Sequence, residues 1–349
     1  MDTNTERFEA LVKLGIHLKK FTAQDSDFAE LQNCIKKAKQ ANGWFTQTSI
    51  ELVLKSWGSA LEKSALQNWL RTYTLPVENP KKVALILAGN IPMVGFHDLI
   101  CIWVSGHTAQ VKCASKDKIL LPYMTRFLER ETGHSSFEYV EEPLTEYDAV
   151  IATGSNNAAR YFEHYFGHCP NLIRKNRNGI AVLDGNETKQ ELEGLGSDIL
   201  QYFGLGCRNV AKVYLPKDYD LNLLFGGLYP YSEVIQHAKY ANNYDYNKAV
   251  FLMSEHDFLD NGFFILKNDP AFSAPIGCLH YEYYTDLHEL KEHVKTNQEK
   301  LQCIVSNLAI ERAIPFGTAQ QPALWDYADQ VDTLEFLSDL NQGLLSLNC

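Results

Sequence analysis

No apolar run in the 349-residue chain reaches about 18 residues, so nothing in it is expected to span a membrane. No basic run is present and the formal net charge is −11, which leaves no patch to neutralise a phosphate backbone and excludes nucleic acid as an expected partner. No CxxC pair occurs among the eight cysteines, Cys34, Cys101, Cys113, Cys169, Cys207, Cys278, Cys303 and Cys349. That excludes a zinc ribbon and a secreted disulfide scaffold. Residues 1 to 30 are charged and lack an apolar signal core. Low-complexity tracts and fixed-period repeats are missing too. These absences lead to the expectation of a cytoplasmic protein of two or three domains, large enough to bury its core without cross-links.

What is present is alternation. Residues 1 to 75 read as helices, with Leu52, Val53, Trp57, Leu61, Leu66, Trp69 and Leu70 at helical spacing between charges. After Pro80, "VALILAGN" (83–90) is a continuous apolar run, the pattern of a strand buried on both faces. Similar strands are expected at 108–115, 147–155, 179–186 and 209–216, with helices at 95–105, 117–132, 155–166 and 188–203 between them. Strands alternating with helices predict parallel sheets, with ligands at the carboxyl ends of strands. The alternation continues with helices between Leu221 and Leu252, strands at 262–267, 277–284 and 301–307, and a charged helix at 286–300.

Four strand ends carry unusual residues. In "GNIPMVG", Asn90 follows the first strand and Pro92 stiffens the turn. Its amide could donate to a developing oxyanion or simply close an Asx-turn. In "QVKCASKD", Lys112 could bind a phosphate or ribose, or be solvated. In "IATGSNN", Gly154 and Ser155 precede a helix, where backbone N–H groups favour phosphate; a plain N-cap is the alternative. In "QYFGLGCRNVAKVYLP", Gly204 and Gly206 flank Cys207, so the thiol sits in a tight turn, either presented or merely small enough to fit.

Taken together and in this order, the four segments resemble the aldehyde dehydrogenase superfamily, and more closely its LuxC-type acyl-CoA reductases, the fatty acid reductases. "GNIPMVGFHDLICIWVSGHTAQVKCASKD", "YFGLGCRNVAKVYLP" and "PFGTAQQPALWDYADQVDTLEFL" carry the resemblance, over about residues 80 to 340. It implies two Rossmann-like α/β domains with the active site in the cleft between them, behind a helical N-terminal segment. The expected boundaries are 1–78 for that segment, 79–205 for the cofactor-binding domain, 206–318 for the catalytic domain and 319–349 for a C-terminal segment. It further implies Cys207 as the nucleophile that takes an acyl group from coenzyme A. Asn90 and the Cys207 N–H would form the oxyanion hole. Lys112 would hold the adenosine ribose or its phosphate, with Gly154 and Ser155 beside the pyrophosphate. Ser115 stands where the pattern has a ribose-binding glutamate and Lys116 follows, so the expected cofactor is NADPH. The implied activity is reduction of acyl-CoA to fatty aldehyde. The alternatives are a CoA-acylating aldehyde dehydrogenase running oxidatively and a non-reducing acyl-binding or scaffold subunit. The implied partners are acyl-CoA and either a second copy of the chain or an acyl-activating enzyme.

Departures from the pattern sharpen the reading. The Glu-Leu-Gly-Gly segment that activates water in hydrolytic members is replaced by "RKNRNGIAVLDGNE", with no glutamate before the strand. Without that base an acyl-enzyme is poorly hydrolysed. The Glu-x-Phe-Gly-Pro contact is replaced by "SAPIGCLHY", which makes Ala274 a poor ribose ligand, and Ala158 or Ala159 replaces a glycine. Other candidates remain. His164, His168 and Cys169 have metal-like spacing but no fourth ligand, and no metal is expected. His97 or His107, with Asp98 nearby, could activate a thiol or cap a turn. Arg208 could lower the Cys207 pKa or pair with an acid. Asp326, Asp329 and Asp332 form an acidic (i, i+3) row, read as capping or solvated.

Overall fold

The computed structural model describes residues 3–340, so Cys349 lies outside the described residues. The N-terminal segment forms four helices, α1 (Thr3–Lys20), α2 (Ala29–Ala41), α3 (Gln47–Ala60) and α4 (Lys63–Leu70). Leu11, Leu14 and Leu18 lie on one face of α1 at helical spacing and are fully buried. A capping box starts α3, with Thr46 and Ser49 each satisfying the other's backbone N–H.

Next come β1 (Lys82–Ile86), α5 (Phe96–Ser105), β2 (Thr108–Lys112), α6 (Leu120–Thr132), β3 (Phe137–Tyr139), β4 (Ala149–Thr153), α7 (Asn156–Phe166) and β5 (Asn171–Arg174). The five strands are parallel in the order β3-β2-β1-β4-β5. This doubly wound order reverses direction between β1 and β4, the place where such sheets bind ligands. Ile86 is in register with Lys112 on one side and Ala152 on the other, so the loops carrying Asn90, Lys112 and Gly154 leave one edge of this sheet.

The chain continues through β6 (Asn178–Val182), α8 (Lys189–Leu200), β7 (Val210–Pro216), α9 (Leu221–Leu228), α10 (Ala238–Met253), β8 (Leu259–Asp260), β9 (Ile265–Asn268), β10 (Cys278–Tyr284), α11 (Leu287–Thr296), β11 (Leu301–Val305) and β12 (Ala313–Ile314). These strands form a second sheet in the order β12-β11-β6-β7-β10-β9-β8, parallel except for the β8–β9 pair. Leu290 and Val294 of α11 pack with Ile180, Val182, Tyr214 and Ile304 over one face.

The last helix among the described residues is α12 (Thr333–Asp339). The compact units are residues up to Asn176 together with those from Ala323, and residues Arg177–Pro322. The division therefore differs from the boundary expected at 205/206. Strand β6 and helix α8 read as another repeat of the first alternation, but β6 pairs with β7 and β11 and belongs to the second sheet. Among the described residues no helix is long and apolar enough to cross a membrane.

Candidate functional site

The Cys207 turn is built from backbone that few residues adopt. Phe203, Gly204 and Gly206 have φ of 61°, 79° and 97°, all in the left-handed region. The chain thus reverses from the end of α8 into β7 within a few residues and leaves Cys207 half-buried at the amino edge of the second sheet. The adjoining strand makes room for it. A Cβ on Gly179 of β6 would lie 2.8 Å from Asn209 O and 2.9 Å from Arg208 O, so only glycine lets this backbone pass. Gly179 N–H donates to Asn209 O (2.9 Å), and the register of β6 on β7 shifts there. The Cys303 thiol of β11 donates to Arg208 O (3.4 Å).

Arg208 does not reach outward. Its Nε–H donates to Ala319 O (2.5 Å). Asp198, on the last turn of α8 and fully buried, accepts from Gly317 N–H (2.7 Å) and Ala319 N–H (2.9 Å). Burial pushes the Asp198 carboxyl up to about 6, against the opposing pull of those two donors and of Arg208. The expected pairing of Arg208 with an acid is thus met electrostatically, with Ala319 between the two side chains. A cavity of about 10 Å³, lined by Leu200, Gly204, Asn209, Tyr240, Phe264 and Cys278 among others, adjoins the turn. It has room for one water, not for an acyl chain. Ala274, named above as a poor ribose ligand, also lines it. The seven described cysteines are thiols, with no disulfide among them.

In the first unit, β1 ends at Ile86, four residues before Asn90, rather than running to it. The connection is nevertheless held: Leu87 N–H donates to Lys112 O (3.1 Å) and Asn42 Nδ2 donates to Gly89 O (3.2 Å). Asn90 is exposed. An Asx-turn is ruled out because the residue two positions on is Pro92, which has no N–H. The amide remains available to a ligand. Beneath the loop, Asp117 is 2% exposed, and its Cβ would be 3.1 Å from a Cβ on Gly89. Neither Asp117 oxygen completes a hydrogen bond. Burial pushes its carboxyl up to about 7, and the Met93 N–H offsets this only in part.

Lys112 is half-buried, Ser115 and Lys116 are exposed, and neither lysine is in an ion pair among the described residues. The nearest acid in sequence, Asp117, is buried under Gly89. Ser155 is the N-cap of α7, accepting from Ala158 N–H (3.2 Å). The hydroxyl oxygen accepts there, and the turn offers a phosphate the Ser155 O–H and the backbone N–H groups of the first helical turn.

The remaining candidates resolve into structure. His97 donates from Nε2 to Leu324 O (2.8 Å) and its Nδ1 lies 3.7 Å from Cys101 Sγ. Burial lowers its pKa and raises that of Cys101 well above the ordinary value, so this pair is inert. His107 accepts from Lys81 N–H (2.8 Å) and donates to Leu337 O (2.9 Å). Asp98 is in a buried ion pair with Arg174 (2.5 Å), whose Nη2 also donates to Thr333 Oγ1 (2.8 Å). Asp332 caps α12 and accepts from Tyr73 OH (2.5 Å), Asp326 accepts from Ala323 N–H (2.9 Å), and Asp329 is in the left-handed region. Among the described residues no group of His, Cys, Asp and Glu could hold a metal ion, and His164 and His168 are exposed.

Asp117 and Asp198 are the residues that sequence reasoning missed. Asp198 stands beside buried Leu195, Ile199 and Leu200 in an otherwise apolar helix face, which is the signal that could have marked it.

No protein-family model matches the sequence, and no curated protein matches it. Solved structures do. Indole-3-acetaldehyde dehydrogenase in complex with NAD+ matches over 88% of this chain and 77% of its own, with a TM-score of 0.65 at 11% identity. Aldehyde dehydrogenase 21 from Physcomitrella patens, in complex with the reaction product succinate, matches over 96% and 87%, with a TM-score of 0.59 at 11% identity. The NAD-dependent aldehyde dehydrogenase from Sinorhizobium meliloti matches over 88% and 71%, with a TM-score of 0.61 at 13% identity. The fold of this chain is the aldehyde dehydrogenase fold.

Proposed function

We propose that this chain is a cytoplasmic, NADPH-dependent acyl-CoA reductase that works through an S-acyl intermediate on Cys207. The observation that carries the reading is the Cys207 turn: three left-handed residues present a half-buried thiol at a sheet edge, in a chain with the aldehyde dehydrogenase fold. The thiolate of Cys207 attacks the thioester carbonyl carbon, the tetrahedral species collapses, and the coenzyme A thiolate leaves. The Cys207 N–H donates to the oxyanion, and the Asn90 amide is the side-chain donor that the sequence resemblance assigns to it. When bound, NADPH supplies the hydride that reduces the acyl carbon. The resulting thiohemiacetal breaks its C–S bond, releasing aldehyde and restoring the thiol.

The residues present suit this cofactor. Lys112 and Lys116 have no carboxylate partner among the described residues, and Ser115 is exposed beside them, a combination that favours a 2′-phosphate. The first turn of α7 would face the pyrophosphate. Asp198, which attracts Arg208 beside the Cys207 turn, is fully buried with each oxygen accepting a backbone N–H, which keeps it away from solvent water. The same groups run the reverse reaction, so direction is set by substrate supply. The test is acyl-CoA-dependent oxidation of NADPH across chain lengths, with aldehyde trapped as its hydrazone. Stoichiometric aldehyde supports the reading; free acid in place of aldehyde overturns it.

A further inference from the structure

We infer that Asp198 is a positioning residue for the Cys207 turn, acting through the 315–319 segment and Arg208. This rests on the reading of Cys207 as acyl acceptor, and the experiment separates the two.

The geometry is a chain of hydrogen bonds that passes through one residue, Ala319. The Asp198 carboxylate takes Gly317 N–H on one oxygen and Ala319 N–H on the other, at 2.7 and 2.9 Å. Ala319 O, on the opposite side of that residue, takes the Arg208 Nε–H at 2.5 Å. Arg208 directly follows the thiol, and its own carbonyl takes the Cys303 S–H at 3.4 Å. Arg208 is thus gripped at its guanidinium by the 315–319 segment and at its carbonyl by β11. The segment itself lies against α8 one turn earlier: a Cβ on Gly194 would be 3.1 Å from Gly317 N. Gly317 has φ of +82°, so the segment is held in a conformation other residues resist. Each carboxylate oxygen and the guanidinium Nε is spent on backbone within this chain of contacts. Its effect is to fix the residue after the nucleophile relative to the helix before it.

This chain of contacts responds to pH. The carboxyl is fully buried and titrates at about 6. The charged or titratable groups facing it are Arg208 from the turn, Cys303 from β11 and Tyr231 from the 229–236 helix. The segment contributes only backbone N–H groups. Ionised, Asp198 accepts from both N–H groups and attracts Arg208. Protonated, it loses that attraction, and one oxygen becomes a donor facing a donor. The turn is therefore held firmly above about pH 6 and loosely below it.

The test measures alkylation of Cys207 by iodoacetamide from pH 5 to 8.5, mapped by peptide mass, beside single-turnover acylation by acyl-CoA. The parent is expected to show a step near pH 6 in Cys207 alkylation, separate from the thiol's own ionisation. Asp198→Asn is expected to abolish the step and slow acylation by roughly tenfold or more, as loss of alignment does, with NADPH affinity unchanged. Should that variant not fold, the parent's profile and Gly194→Ala, which displaces the same segment, decide the matter. A parent profile without the step overturns the inference, as does a folded Asp198→Asn with the parent's rates and profile. A variant that only melts earlier, with its profile unchanged, also overturns it. If the alkylation step is present but no acyl-CoA acylates Cys207, the positioning role stands and the acyl-transfer reading falls.

Discussion

Replacing Ser115 by glutamate tests the cofactor reading where the structure makes it most specific. Lys112, half-buried, is the last residue of β2, and Ser115 and Lys116 are exposed on the loop that leaves it. No exposed acid stands between Lys112 and Lys116, and the adjacent Asp117 is buried beneath Gly89. A charge-assisted hydrogen bond to a 2′-phosphate contributes about 1.5–3 kcal/mol. Solvent screening at these exposed side chains argues for the lower end, about 1.5 kcal/mol, which corresponds to roughly tenfold selectivity for NADPH over NADH. The new carboxylate would repel the phosphate and accept from the ribose hydroxyls of NADH. Selectivity is therefore expected to fall to near unity or reverse, chiefly through weaker use of NADPH. The assay is kcat/KM for both cofactors at fixed acyl-CoA in parent and variant. A parent that uses the two cofactors equally refutes the reasoning, and so does a Ser115→Glu variant with the parent's preference.

Other outcomes follow from the same structure. Asn90→Ala is expected to lower acylation and reduction by about 10²-fold or more while the fold survives, since the exposed amide supports nothing internal; an unchanged turnover number contradicts its role. Gly206→Ala, at φ of 97°, strains the turn by roughly 1–2 kcal/mol and should slow Cys207 acylation with only a small loss of Tm; parent rates would show that the turn tolerates a Cβ. Asp117 titrates at about 7 when folded, so the folded state keeps its proton longer than the unfolded chain and stability falls as pH climbs towards that value. Asp117→Asn should accordingly raise Tm relative to the parent at pH 8 and keep only a minor part of that advantage at pH 5; equal Tm differences at the two pH values would show that the carboxyl does not titrate in this range.

Long buried strands were legible in the sequence because continuous apolar runs such as "VALI" and "AVIAT" have no other economical use. The short edge strands were not. "FEY" of β3, "NLIR" of β5 and "AI" of β12 carry too little hydrophobic pattern to register. The sheet that β6 joins was not legible, because a βα repeat looks the same whichever sheet its strand enters; only the pairing of β6 with β7 and β11 reveals it. At the site, the glycines around Cys207 were legible as a tight turn, and φ values at Gly204 and Gly206 bear that out. The histidines at 97 and 107 were open in the sequence because their partners, Leu324 O and Leu337 O, are backbone carbonyls more than two hundred residues away. Asp117 was invisible for a similar reason, and Asp198 showed only as an acid on an apolar helix face. An acid in a helix or turn reads as solvated until its burial is known.

The most direct test of the account is intact-mass analysis of the chain incubated with labelled acyl-CoA and no reductant. The account predicts a single acyl adduct, mapped to Cys207, lost on addition of NADPH with release of aldehyde and missing in Cys207→Ser. An adduct that persists in Cys207→Ser on another cysteine, or no adduct with any acyl-CoA, would contradict it.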